Sequence, residues 1–407
     1  ADLQNVVVGG SIQIRTNSLS YGELNAIRIA PNTLANNSPN TNTFTEERTR
    51  LSIRADFTDN VDAFIEFDSY DVWGTDFRSN YLTGVDSRPT GNVNVYQAYI
   101  EAKEMWGTPL KLKAGRQEIK LGSGWLVGTG GTAPYFFGRS FDALRLTYAT
   151  DQFSVDAIAA KLLERSPIEE DGDIDFYAVY GSYLGIQDVA LDAYWMFVRD
   201  AVGDISHNLD IHTFGLRGAG TVDAFDFNVE GAYQLVDQQT LKSVDTFAGT
   251  LEAGYTLDMK WTPRVFVGGA YFDGGKDGAF DRLFSDTRYS TILDGGMFAG
   301  TKLTGFWTAS VGASVMPIES LKLQLSGAYL KSVGNDGIDK EELGWELGAS
   351  AVYSYSHDWV SRWGYSHLFA SSDMGTSGSL MFSGFDTGKV VVLDDVDYFY
   401  MESKVSF

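Results

Sequence analysis

Tyr398-Phe399-Tyr400-Met401-Glu402-Ser403-Lys404-Val405-Ser406-Phe407 closes the chain, and its reading decides the fold. Phe399, Met401, Val405 and Phe407 fall on one parity, Tyr398, Tyr400, Glu402, Lys404 and Ser406 on the other. Successive side chains of a β-strand point to opposite faces, so the stretch is a strand with one apolar and one polar face. In a soluble sandwich the apolar face would turn inward; in a membrane barrel it turns out to lipid.

The same pattern recurs upstream. Leu51, Ile53, Ala55 and Phe57 alternate with Arg48, Arg50, Ser52, Arg54 and Asp56. Ala63, Ile65 and Phe67 alternate with Phe64, Glu66, Asp68 and Tyr70, and Leu321, Leu323, Leu325 and Tyr329 with Lys322, Gln324 and Ser326. Between such segments short turns recur, among them Thr58-Asp59-Asn60, Trp106-Gly107-Thr108, Val222-Asp223 and Ser356-His357-Asp358. They alternate with longer polar connections near residues 17–44, 72–92, 121–138, 163–174, 200–209, 236–244, 273–302, 332–341 and 371–395. Short turns at one rim and long loops at the other are the signature of an outer-membrane barrel. The expectation is an all-β, transmembrane, antiparallel up-and-down β-barrel over residues 1–407. It has about eighteen strands, short periplasmic turns, long extracellular loops and both termini periplasmic. A terminal aromatic such as Phe407 is similar to the C-terminal signal read by the outer-membrane insertion machinery.

Composition agrees. The 407 residues include 44 Gly, 9 Trp, 21 Tyr and 26 Phe, but only 8 Pro and no Cys, which suits tight turns and aromatic girdles. The apolar runs are too short for a transmembrane helix, which needs about 20 consecutive residues. A net charge of −23 argues against nucleic acid as a partner. Outer-membrane lipid and lipopolysaccharide are the partners expected outside the barrel. The acidic stretches Glu169-Glu170-Asp171-Gly172-Asp173 and Asp273-Gly274-Gly275-Lys276-Asp277-Gly278 either hold Ca²⁺ or are solvated loops; neither has an EF-hand spacing, and no other cofactor is expected.

Several stretches together resemble the alginate export family of outer-membrane porins. They are Gly115-Arg116-Gln117-Glu118, Gly138-Arg139-Ser140-Phe141-Asp142-Ala143-Leu144-Arg145-Leu146, Glu230-Gly231-Ala232-Tyr233-Gln234 and Ala253-Gly254-Tyr255-Thr256-Leu257. Trp261-Thr262-Pro263-Arg264, Phe280-Asp281-Arg282-Leu283-Phe284 and Trp363-Gly364-Tyr365-Ser366-His367-Leu368-Phe369 extend the match over most of residues 95–407. The resemblance implies an eighteen-stranded monomer that passes an anionic oligomer or polymer through a charged constriction; apart from the resemblance, a trimer is the alternative. It leaves the cargo open.

The face opposite the lipid lines the pore, because a charge on the lipid face costs about 2–4 kcal/mol at the midplane. That assigns Arg48, Arg50, Arg54, Glu66, Asp68, Glu101, Lys113, Arg139, Arg145 and Arg217 to the lumen, Arg264 to its rim, and Asp142 beside them. Guanidinium groups bind carboxylate, phosphate or sulfate through paired hydrogen bonds. The same residues read equally as a wall network of acid–base pairs that stiffens the barrel. Arg116 falls in phase with Leu112 and Ala114; a bulge that re-aims it into the pore is favoured over a place at the outer rim. The glycine- and aromatic-rich segment 121–138, with Trp125, Tyr135, Phe136 and Phe137, either folds inward as a constriction or stays at the surface.

The expected function is a passive, selective channel for small anionic solutes or oligosaccharides, against a general diffusion porin. A barrel lipid hydrolase is the remote alternative. His207, His212, His357 and His367 are the only histidines, and none has a Ser or Asp at a recognisable catalytic spacing.

Overall fold

The computed structural model describes residues 2–21, 28–29, 33–34, 40–58, 60–74, 93–130, 136, 138–165, 172–201, 209–238, 243–274, 278–294, 302–333, 342–371, 381–383 and 395–407. Eighteen antiparallel strands close into one sheet. β1 (Leu3–Tyr21) and β2 (Asn40–Phe57) are followed by β3 (Val61–Val72), β4 (Val93–Ala102) and β5 (Leu110–Gln117). β6 (Phe141–Ala149), β7 (Phe153–Leu163), β8 (Ile174–Ile186), β9 (Val189–Asp200) and β10 (Leu209–Val222) continue the circuit. β11 (Phe225–Gln238), β12 (Val244–Thr256), β13 (Arg264–Phe272) and β14 (Phe306–Ile318) come next. β15 (Leu321–Ser332), β16 (Glu342–Ser354), β17 (Trp359–Ala370) and β18 (Val396–Ser406) complete it. Each strand pairs with its sequence neighbours, and β1 meets β18 from Ser11↔Ser406 to Tyr21↔Val396, which removes the free edge along that length.

The alternation reads directly onto the wall. Leu51, Ile65, Leu144, Leu216, Leu325, Phe399 and Met401 are exposed on the outside, while Arg48, Asp68, Glu230 and Glu402 are buried on the inside. Two-residue turns at the short rim use residues that tolerate a left-handed backbone: Asp188 and Asp223 have φ of 57° and 53°.

Two connections from the long-loop rim do not stay outside. Residues 118–130, with Phe136, fold into the barrel and bury Ile119, Leu121, Trp125, Leu126 and Val127. The inward alternative for segment 121–138 therefore holds for its described part; Gly131, Tyr135 and Phe137 lie outside the described residues. Residues 278–294 also fold inward, which corrects the reading of 273–302 as a polar surface loop. Phe280, Ile292 and Leu293 are spaced with no strand or helix period, yet all three are buried. Of the 371–395 loop, Met381–Ser383 pairs with Lys302–Thr304, while 372–380 and 384–394 lie outside the described residues.

Candidate pore and its constriction

The inward loops hold each other through backbone bonds. Gly128 N–H donates to Phe284 O (3.0 Å), Phe284 N–H to Leu126 O (2.8 Å) and Asp286 N–H to Gly124 O (2.9 Å). The Asp286 carboxylate accepts from Gly130 N–H at 2.7 Å. A Cβ at Gly128 would sit 2.2 Å from the Asp286 carboxyl, so a side chain there would displace that carboxylate from Gly130 N–H. Trp125 packs near Phe272 and Phe280, and Phe284 meets Phe141 and Phe176 edge-on. Trp125 Nε1 donates to Tyr289 Oη (2.9 Å), and burial pushes the Tyr289 phenol up to about 12.

The 278–294 loop is braced internally by Arg282 and tied to the wall through Glu346. Fully buried Arg282 pairs with Asp294 at 2.7 Å, donates to the carbonyls of Leu303 (2.7 Å) and Thr287, and lies over the Phe272 ring. Glu346 on β16 accepts from the Ser290 hydroxyl and from Thr291 N–H (2.9 Å). On the other side Ser123 donates to Glu230 on β11 (3.2 Å). The two loops thus form a plate reaching from β11 to β16. Beside it remains a cavity of about 480 Å³, whose wall is mostly Ser, Thr and Gly, including Thr250, Gly268, Thr308, Ser310, Ser326 and Ser350. Asp286, Arg288 and Tyr289 line it from the loop side and Tyr400 from β18. Small hydroxyl side chains and glycines leave this cavity open and polar on the wall side.

Most charged candidates on the inner face are paired with one another. Arg50 bonds Asp68 (2.7 Å), and Arg54 bonds Asp56 (2.9 Å) and Asp62 (2.5 Å). Lys113 meets Glu101 at 3.2 Å, and Arg145 makes two bonds to Asp156. Arg217 holds Asp192 (2.7 Å) and Asn228 (2.7 Å), and Arg264 holds Asp226 and Glu252. Glu66 accepts from Gln97 (2.8 Å). Arg139 is spent on the loop plate, donating to the carbonyls of Gly128 (3.2 Å) and Phe284.

Arg116 and Asp142 do not line the pore. They lie on the outer face, side-chain exposed, and bond each other twice at 2.8 Å. A bulge does exist, but on β4. The β3–β4 register slips between Glu66 and Phe67, so Tyr96 joins Gln97 on the inside. Tyr96 stacks under Arg50, 3.7 Å from its ring centroid, and donates to Glu118 at 2.5 Å. Arg116 instead donates to Val95 O (3.2 Å) where β4 loses its β5 partner.

The barrel seam assembles a basic arc that the sequence reading found only in part. Arg15 on β1 and Arg362 on β17 share Glu402, at 2.5 Å and 2.9 Å. Arg48 on β2 bonds Gln13 (2.7 Å) and the Phe136 carbonyl. Lys404 interacts electrostatically with Arg48, Arg50 and Arg362 and, on the other side, with Glu402, and has no ion pair within 4 Å among the described residues. Arg48 Nε and Arg50 Nη2 are buried donors without an acceptor among the described residues. Arg15, Arg362 and Lys404 were the missed members; the inward parity of Lys404 was visible, but not its company.

His212 and His367 face outward. His212 stacks on Phe197 at 4.3 Å, and His367 lies 2.8 Å from Asp397. His207 and Glu169–Asp171 lie outside the described residues. Asp173, from the same acidic stretch, is bound to Lys161 (2.9 Å).

The architecture is shared by solved structures. OccAB3 of Acinetobacter baumannii superposes with a TM-score of 0.60 at 12% identity over 98% of this chain and 99% of that one. OccK8 (OprE) of Pseudomonas aeruginosa gives 0.59 at 12% identity over 98% of each, and OccK11 (OpdR) gives 0.59 at 11% over 98% and 96%. No curated protein matches the chain. The alginate export family matches residues 32–344. The chain is a member of the alginate export family, built as an eighteen-stranded barrel of outer-membrane porin architecture.

Proposed function

We propose that the protein is a passive outer-membrane channel selective for small anionic solutes, carboxylate-bearing sugars or organic acids among them. The short turns and both termini face the periplasm, and the long loops face outside. The observation that carries this reading is the seam arc. Arg48 Nε and Arg50 Nη2 lack acceptors among the described residues, and Lys404 sits among cations without an ion pair there. The positive charge of this arc favours an arriving carboxylate or phosphate, because a charge-assisted bond to the half-exposed Lys404 is strong. Charged groups lining a constriction are one basis of selection in pores. Paired groups elsewhere on the wall stiffen it and contribute little to selection.

The test is the reversal potential of single channels in planar bilayers under a salt gradient. The wild type is expected to prefer anions, and Arg48→Ala and Lys404→Gln each to reduce that preference. A cation preference unmoved by both substitutions would overturn the reading. The competing reading, a general diffusion porin, is favoured by the extent of acid–base pairing along β2–β7, and that result would support it. Hydrolysis of lipid by the purified protein, with His212→Ala as control, would reopen the enzymatic alternative.

A further inference from the structure

We infer that the outer wall of β5–β10 holds a phosphorylated glycolipid of the outer leaflet at a fixed site. Ladder neighbours place a row of alternating charges on the outside of these strands. Arg116 on β5 lies opposite Asp142 on β6, which lies opposite Lys161 on β7. Lys161 lies opposite Asp175 on β8, Asp175 opposite Arg199 on β9, and Arg199 opposite Asp210 on β10. Asp237 on β11 ends the row. Two residues nearer the short turns, the same wall presents Leu144, Ala159, Tyr177 and Phe197, again as direct neighbours. A charge on the lipid face is costly at the midplane and nearly free at the interface. The step from charged row to apolar row therefore marks the headgroup level at the long-loop rim.

Below the row, the outward face of β7 is a furrow. Ala157 and Ala159 stand between Leu144 and Leu146 of β6 and Tyr177 and Val179 of β8. The cavity there, about 590 Å³, has Leu144, Ala159 and Tyr177 at its apolar end and Lys161, Asp175 and Arg199 at its charged end. It opens on hydrocarbon, so an acyl chain fills the lower part, and the charges above set the head. Lys161 is committed to Asp173 (2.9 Å) and Asp175 (2.8 Å), and Arg116 to Asp142. Arg199, 41% exposed, has only a loose ion pair with Asp175, at 3.7 Å, among the described residues. Its guanidinium fork is left for a phosphate. The carboxylates on either side repel a head that is only anionic and accept from one that also carries hydroxyls. Strands lie about 4.8 Å apart, so the row from β5 to β10 is about 24 Å long. That width suits a head of linked sugar rings with several chains, and exceeds a single phospholipid head. Naming the outer leaflet rests on the orientation proposed above.

The experiment is native mass spectrometry of the full chain in detergent with EDTA. The chain is titrated with lipid A, with lipid A stripped of its phosphates, and with phosphatidylethanolamine. The wild type is expected to bind one lipid A more tightly than either of the others by about tenfold, the worth of one charge-assisted bond. Arg199→Gln leaves Asp175 its pair with Lys161 and is expected to lower lipid A binding by the same factor. Ala159→Leu fills the furrow and lowers it too. Ala349→Leu, in an uncharged groove on the β14–β18 side of the wall, leaves binding unchanged. The comparison of lipids on the wild type stands even if a variant fails to fold. Absence of lipid A binding, equal binding of the three lipids, or tighter binding of phosphatidylethanolamine would overturn the inference. So would wild-type affinity in Arg199→Gln or Ala159→Leu, or an equal loss in Ala349→Leu. Binding in detergent depends on neither orientation nor ion selectivity, so its failure is distinct from failure of the channel reading, which reversal potentials decide.

Discussion

Arg116 and Asp142 form a doubly hydrogen-bonded ion pair, 2.8 Å at each oxygen, on the outside of the barrel. Both are in phase with outward leucines, Leu112 on β5 and Leu144 on β6, and the pair is side by side in the ladder. Its third bond, to Val95 O, covers a carbonyl freed where β4 stops pairing with β5. The pair therefore covers a gap in the wall, away from the inner face. Arg116→Ala is expected to leave the reversal potential unchanged in planar bilayers, in contrast to Arg48→Ala. Its effect appears as a lower unfolding temperature in heat-modifiable gel migration. A changed reversal potential would return Arg116 to the pore.

Arg282 should be the residue on which the constriction depends. It is buried with Asp294 and gathers two carbonyls, so its loss leaves a buried carboxylate with only the Tyr289 and Leu303 N–H donors (3.0 Å each) and no counter-charge. Removing one partner of a buried pair costs about 3–5 kcal/mol. The strands do not rely on it, because their ladders are complete without the loop. Arg282→Met is expected to release residues 278–294, raising single-channel conductance and making the loop sensitive to protease while the barrel still migrates as folded. Unchanged conductance with an intact loop would show that the plate is held without Arg282, by its backbone bonds, its aromatic contacts and Glu346.

What could be read from the sequence was whatever obeys a period of two. The alternation of Leu51 and Ile53 with Arg50 and Arg54 placed each on the correct face, and the turn spacing gave the strand number and the two unlike rims. Tyr96 departs from that period, since a bulge adds one residue without any compositional mark and shifts inside and outside beyond it. Phe280, Ile292 and Leu293 were opaque for a different reason: an inward loop buries residues in no regular order. The basic arc is a product of closure. Arg15 and Lys404 stand at opposite ends of the chain, and only the β1–β18 seam puts them beside Arg48.

Gly115 is a position where no side chain fits. Its φ is +124°, and a Cβ would lie 2.3 Å from the Ala98 carbonyl and 2.9 Å from the Tyr99 Cα, all of it backbone of the neighbouring strand. Strain of this kind costs on the order of 1–3 kcal/mol before any clash is relieved. Gly115→Ala should reduce the yield of folded barrel and lower its unfolding temperature. Gly181→Ala is the control, because its nearest neighbour is an ordinary contact at 3.7 Å. Equal stability of the two variants would show that β5 can adjust against β4.

Glu402 and Lys404 separate the two readings of the seam. Glu402 is buried between Arg15 and Arg362, so Glu402→Gln leaves two guanidinium groups with less compensation. Lys404 has no such partner among the described residues, so Lys404→Gln removes a cation and breaks no ion pair there. If the arc sets selectivity, Glu402→Gln raises the anion preference and Lys404→Gln lowers it. Their stabilities should diverge too, since losing one member of a buried pair costs about 3–5 kcal/mol whereas removing an unpaired cation from among others costs little. If the arc is only a wall network, Glu402→Gln lowers the unfolding temperature, and neither variant moves the reversal potential. Measuring both quantities on both variants therefore distinguishes a selective arc from a structural one, because opposite shifts in potential cannot arise from loss of stability alone.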